Sequence, residues 1–216
     1  MNLPNKLTIF RMILVLIIMI IPIIDSIAGI PGEFLEIKTT FWIMNILFII
    51  ASITDKLDGT LARKWNQVTT FGKFLDPIAD KILVLASLII LVEYKKIPSW
   101  IPIIILTREF MVSGYRLIAV EQGGKVIAAS IWGKLKTVTQ MIAIICCFLD
   151  KFNFGNFIFR VSTMEEMMQS SIGVYMTPLQ FLINILSTTL LLISVIATIF
   201  SGWDYLKNGK ELLNER

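Results

Sequence analysis

Asp55-Lys56-Leu57-Asp58-Gly59-Thr60-Leu61-Ala62-Arg63, eight connecting residues, and Gly72-Lys73-Phe74-Leu75-Asp76-Pro77-Ile78-Ala79-Asp80 form the stretch where a strongly apolar chain turns to polar chemistry. Read as two helices, the first half sets Asp55, Asp58, Gly59 and Ala62 on one stripe, and the second sets Gly72, Asp76 and Asp80 on another. Four carboxylates can thus converge, with small residues beside them where a ligand could approach the backbone. Unpaired, such a cluster is ruinous, because one acidic side chain costs about 3 kcal/mol at mid-bilayer and like charges repel. Something positive must sit among them. The chain has no His, so an all-oxygen site for a hard divalent cation is expected, Mg²⁺, Mn²⁺ or Ca²⁺, of the kind that partners phosphates. Arg63 supplies a fork suited to a phosphate oxygen. The competing reading, four unrelated acids at helix ends, fits poorly with this spacing and with the apolar runs on either side.

The pattern D-x2-D-G-x2-A-R-x8-G-x3-D-x3-D resembles the signature of the CDP-alcohol phosphatidyltransferases, with every position filled. The resemblance implies an integral membrane enzyme that moves a phosphatidyl group from a CDP-linked lipid onto an alcohol and releases CMP. It also implies a homodimer.

Composition points the same way. The 216 residues are 56% hydrophobic and 17% charged, with a mean hydropathy of +0.76, which excludes an ordinary soluble domain and a nucleic-acid binder. A span takes about 20 residues, so the expected fold is all-α: one polytopic domain over 1–216, six transmembrane helices and a short N-terminal amphipathic start. The opening residues lack the cleavage pattern of a removed signal peptide, and a helix is expected from about Pro4. The spans are placed at about 8–24, 41–53 (continuing as helix through the first motif half), 71–92, 98–120, 134–149 and 179–200. Pro77 is expected to kink the third beside Asp76. A polar link falls at 64–70, Gly123 and Gly124 end the fourth helix, and the 150–178 loop carries an interfacial helix near Met164–Met168. Cys146 and Cys147, adjacent in an apolar run, read as packing or lipid-facing residues.

Six spans put 15 of the 20 Lys and Arg residues on the side of the signature, which the positive-inside rule assigns to the cytoplasmic face of the cell membrane. Asn5, Thr8 and Arg11 recur at spacings of three and form a polar stripe. It either borders the site and touches the donor's nucleotide or diphosphate, or lies at the interface with Arg11 reaching to head groups. Arg108, Arg116, Lys134 and Lys136 gather four more cations on the signature side. A second basic pocket suggests that the acceptor carries its own phosphate, since a metal already handles the donor's diphosphate; the alternative is anchoring to anionic lipid heads.

The opening Asn-x-Pro-Asn-x-Leu-Thr-x-x-Arg, Arg108-Glu109-Phe110 and the run from Ile127 to Gln140 are similar to the branch of the family whose acceptor is sn-glycerol 3-phosphate. The resemblance covers about residues 1–145. It implies CDP-diacylglycerol as donor and Mg²⁺ or Mn²⁺ as cofactor. Asp55, Asp58 and Asp76 would hold the metal, and Asp80 would complete the cluster or act as the base. Thr54, Gly59, Ala62, Arg63 and Gly72 would line the CDP-lipid site. Other acceptors (inositol phosphate, serine, a phospholipid), a membrane prenyltransferase and a cation transporter are the alternatives; the last leaves the cations at 108–136 unexplained.

Overall fold

A computed structural model describes residues 3–64, 70–121, 131–159 and 178–208. For 3–5, 55–64, 70–77, Asp80 and a few other helical positions the description extends to the backbone alone. The long helices are α1 (Leu3–Ala28), α2 (Thr39–Lys64), α3 (Thr70–Glu93), α4 (Trp100–Glu121), α5 (Ile131–Leu149) and α7 (Pro178–Asn208), with a four-residue α6 (Asn156–Phe159). Among the described residues three helices are long and apolar enough to cross a membrane, within α1, α5 and α7, and α2 adds a shorter apolar stretch at Thr39–Thr54. The remaining long helices carry the polar chemistry: α4 holds Arg108, Glu109 and Arg116 within one helix.

The helix limits follow the punctuation in the sequence. α1 begins beside Pro4 and runs through Pro22. It ends at Gly29, whose φ of +64° is the left-handed conformation that stops a helix. The connection 29–38 between α1 and α2 contains a two-stranded hairpin of β1 (Glu33–Phe34) and β2 (Ile37–Lys38) with Glu33 opposite Lys38. Leu35 and Glu36 make its turn at positive φ, and the Trp42 indole Nε1 donates to the Phe34 carbonyl at 2.9 Å. The expected break at Gly123 and Gly124, residues 65–69 of the expected polar link and the helix near Met164–Met168 lie outside the described residues, while Pro77 lies within the continuous helix α3 and Lys64 and Thr70 belong to α2 and α3.

α1 packs on α2 and α3, α5 packs on α2, α3 and α7, and α4 packs on α3 and α7. One hydrophobic core joins them, with Ile18, Met44, Phe48, Leu83, Ile101, Ile144, Phe148 and Leu191 among its buried members. The opposite faces carry exposed apolar side chains such as Leu16, Ile20, Ile53, Ile89, Ile103, Leu182 and Ile196. Water would penalise that surface, whereas lipid accepts it. Cys146 is half-buried and Cys147 buried, both as free thiols.

α7 corrects one expectation. The sixth span is expected to stop near Phe200, but the helix continues to Asn208. Buried Ser201, Gly202 and Tyr205 lie in this extension. The mean polarity of Ser201-Gly202-Trp203-Asp204 reads as an exit from the membrane, but a helix resting on α4 can hide three of the five positions 201–205 while Trp203 faces outward.

At the other end of the bundle the loops are tied by buried polar groups. Asp150 accepts hydrogen bonds from Asn184 Nδ2 at 2.8 Å, Ser187 Oγ at 2.7 Å and the Phe152 amide at 2.9 Å. The Lys96 ammonium donates to the Asp150 carbonyl.

Candidate active site

The two halves of the signature lie where α2 ends and α3 begins, so they share one end of the helix pair. The backbones of Asp55, Asp58, Gly59, Ala62 and Arg63 belong to α2, and those of Gly72, Asp76 and Asp80 to α3; their side chains lie outside the described residues. Thr54, one position before the signature, is buried and donates its hydroxyl to the Ile50 carbonyl at 2.7 Å, so it is satisfied within its own helix. Thr8 and Arg11 are buried too, Arg11 with no exposed surface. Arg11 therefore points into the bundle and does not reach outward to head groups. Asn5 is placed only as a position on α1.

Next to the second motif half is a cavity of about 520 Å³ between α3, α4, α5 and α7. Ile78 and Lys81, on either side of Asp80 in sequence, line its α3 wall. Glu109, Ser113 and Arg116 line the α4 wall together with Arg108; the offsets of four and seven between the first three make a single helical stripe. Gly133, Lys136, Thr137 and Gln140 do the same on α5. Ile82, Leu85, Leu106 and Met141 give part of the wall an apolar character.

The cations in this cavity are held in place before any ligand arrives. Glu109 Oε1 accepts from Arg108 Nη1 at 3.0 Å and from the Lys136 ammonium, and its Oε2 lies 4.0 Å from Lys81 Nζ. Lys81 also donates to Ser113 Oγ. Arg108 Nη2 donates to Ser201 Oγ, and Arg116 Nη2 donates to the Tyr205 hydroxyl at 3.0 Å. Among the described residues four cations and one carboxylate line this partly dehydrated space, a surplus of positive charge that suits a phosphate. Gln140 is buried, and its Nε2 has no hydrogen-bond partner among the described residues.

Of the four cations singled out from the sequence, Arg108, Arg116 and Lys136 line this cavity, while Lys134 is exposed and does not. Lys134 and Lys136 are two residues apart, which on a helix is about 200° of rotation, so one wall cannot use both. Lys81, Glu109, Ser201 and Tyr205 complete the constellation and were missed as site residues. Lys81 adjoins the signature and could have been found from that; Tyr205 carried no local signal.

Comparison with known proteins settles the kinship. A sequence model of the family described as CDP-alcohol phosphatidyltransferase matches residues 1–203. The chain belongs to the CDP-alcohol phosphatidyltransferase family. Among curated relatives, a CDP-diacylglycerol--glycerol-3-phosphate 3-phosphatidyltransferase of Bacillus subtilis is 39% identical over 98% of this chain and 97% of its own length. The protein of the same name from Haemophilus influenzae is 43% identical over 66% of this chain and 73% of its own. A probable phosphatidylglycerophosphate synthase of Mycobacterium tuberculosis is 31% identical over 94% and 79% respectively. Among the described residues no group of three His, Cys, Asp or Glu could hold a metal ion; the side chains of the signature aspartates lie outside those residues.

Proposed function

We propose that this phosphatidyltransferase moves the phosphatidyl group of CDP-diacylglycerol onto sn-glycerol 3-phosphate, giving phosphatidylglycerol phosphate and CMP. The observation that carries the acceptor assignment is the cavity where Arg108, Arg116 and Lys136 meet beside the signature helix. A neutral alcohol would gain little from such a surplus of cations, whereas an acceptor with its own phosphate is held by charge-assisted hydrogen bonds. The name of the Bacillus subtilis relative, matched over nearly its whole length, supports the same reading.

The donor set fits a hard divalent ion: four aspartates on adjoining helix ends, in a chain without His. Asp55, Asp58 and Asp76 would hold Mg²⁺ or Mn²⁺, which when bound supplies the positive charge that a diphosphate needs. Thr54, Gly59, Ala62, Arg63, Gly72, Asn5, Thr8 and Arg11 are proposed for the CDP-lipid side, the small residues leaving room for the nucleotide. Arg108, Arg116 and Lys136 fix the acceptor's phosphate and so orient its free hydroxyl. Asp80 takes the hydroxyl proton, with no His available for that task. The hydroxyl oxygen attacks the phosphorus that bears the diacylglycerol, the bond from that phosphorus to the CMP oxygen breaks, and CMP leaves with the electron pair. Six crossings with the signature facing the cytoplasm, and a homodimer, complete the proposal.

The test is CMP release by detergent-purified protein given CDP-diacylglycerol and Mg²⁺ or Mn²⁺, comparing glycerol 3-phosphate with glycerol, serine and inositol phosphate. Release that requires glycerol 3-phosphate is expected. Equal release with glycerol would refute the acceptor assignment, and incorporation of a prenyl group instead would refute the family chemistry.

A further inference from the structure

Arg108 and Arg116 stand eight residues apart on α4, just over two helical turns, so they have no reason of their own to converge. Tyr205 of α7 brings them together. Its ring lies 5.5 Å from the Arg108 guanidinium carbon and 5.9 Å from that of Arg116, and its hydroxyl accepts from Arg116 Nη2 at 3.0 Å. One turn earlier, Ser201 Oγ accepts from Arg108 Nη2. Between them Gly202 lets α7 approach closely: a Cβ there would meet Met111 Cε at 3.2 Å and the Arg108 Cγ at 3.6 Å. The ring is 2% exposed although it belongs to the last turns of the helix, and it lies beyond residues 1–203, the segment matched by the family model.

We infer that Tyr205 is a positioning residue of the acceptor site, a brace from the final helix that holds Arg108 and Arg116 facing the cavity so that one phosphate can meet both. The inference rests on the proposed function for the identity of that phosphate. An aromatic face attracts both guanidinium groups at once, where the two cations alone would repel. Arginine side chains lose much rotamer freedom on ordering, so a brace in the free enzyme removes that cost from the binding step. Tyr205 accepts from Arg116 through its hydroxyl oxygen and acts on the reaction through the two arginines.

The experiment compares wild type with Tyr205→Phe and Tyr205→Leu in steady-state CMP release, varying glycerol 3-phosphate and CDP-diacylglycerol separately. Loss of the hydroxyl in Tyr205→Phe should raise the acceptor KM about five-fold, and loss of the ring in Tyr205→Leu about thirty-fold or more. The donor KM and kcat should stay within about two-fold of wild type, a split that general unfolding would not give. Calorimetric binding of inorganic phosphate to the same proteins, without turnover, should weaken in the same order. Unchanged phosphate affinity in Tyr205→Leu, or an equal fall of all kinetic constants in both variants, would overturn the brace. Absence of glycerol 3-phosphate turnover in wild type, with the phosphate order still observed, would instead overturn the proposed acceptor and leave the brace standing.

Discussion

Replacing Lys136 with Met, with Lys134→Met as its partner experiment, separates two lysines that the sequence presents as equals. The Lys136 side chain is 7% exposed and its ammonium is bonded to Glu109; Lys134 is exposed on another face of α5. A charge-assisted hydrogen bond to a phosphate is worth about 1.5–3 kcal/mol, so Lys136→Met should raise the acceptor KM by roughly ten- to hundred-fold. The fold should suffer as well. Breaking a buried ion pair costs about 3–5 kcal/mol, but Glu109 is 21% exposed and keeps Arg108 at 3.0 Å and Lys81 at 4.0 Å, which reduces the loss to about 2 kcal/mol. Lys134→Met should change neither quantity by more than about two-fold in KM or 0.5 kcal/mol in stability. The assay is CMP release against glycerol 3-phosphate at saturating CDP-diacylglycerol, with thermal unfolding in the same detergent. A Lys134 variant that raises the acceptor KM as much as the Lys136 variant would refute the reasoning, as would a Lys136 effect confined to the donor KM.

Three further outcomes follow from the same structure. Asp80→Asn should abolish turnover and largely spare binding of CDP-diacylglycerol; near-normal CMP release would remove Asp80 as the base. Gly202→Ala should be tolerated, because the flexible Met111 methyl can move away from the new Cβ, whereas Gly202→Val should push on the Arg108 stem and cost about 1–3 kcal/mol, read by thermal unfolding. Burial holds the Asp150 carboxyl above the usual carboxylate range, only partly offset by its bonds from Ser187, Phe152 and Asn184 and by the charge of Lys96. Since its folded pKa exceeds its unfolded one, its contribution to stability is complete below the unfolded value and is lost as pH rises through the folded one. Wild type should therefore lose stability relative to Asp150→Asn as pH rises above the usual carboxylate range, and parallel curves for the two proteins would contradict this.

How much of this was legible in the chain follows from which forces are local. Six long helices could be read, and the described α1 to α5 lie within a few residues of the expected helices, because caps, breakers and apolar runs act over one or two turns. The signature was legible for the same reason: residues at helical spacing on one segment need no partner to be noticed. The hairpin at 33–38 was not, since a two-residue strand has no periodicity to show.

The cavity proposed for the acceptor was only half legible. Arg108, Arg116 and Lys136 drew attention because charges in apolar helices need a reason, but which lysine faces the cavity depends on how α5 is rotated against α3 and α7, and rotation is set by packing over the whole helix. Ser201 and Tyr205 were invisible: their partners Arg108 and Arg116 stand 93 and 89 residues away in the chain, and no local pattern encodes a contact of that range. Local sequence thus fixes where each helix runs and what chemistry it carries. The meeting of α4 with the end of α7 comes from close packing between surfaces far apart in sequence, and it turns scattered cations into one site.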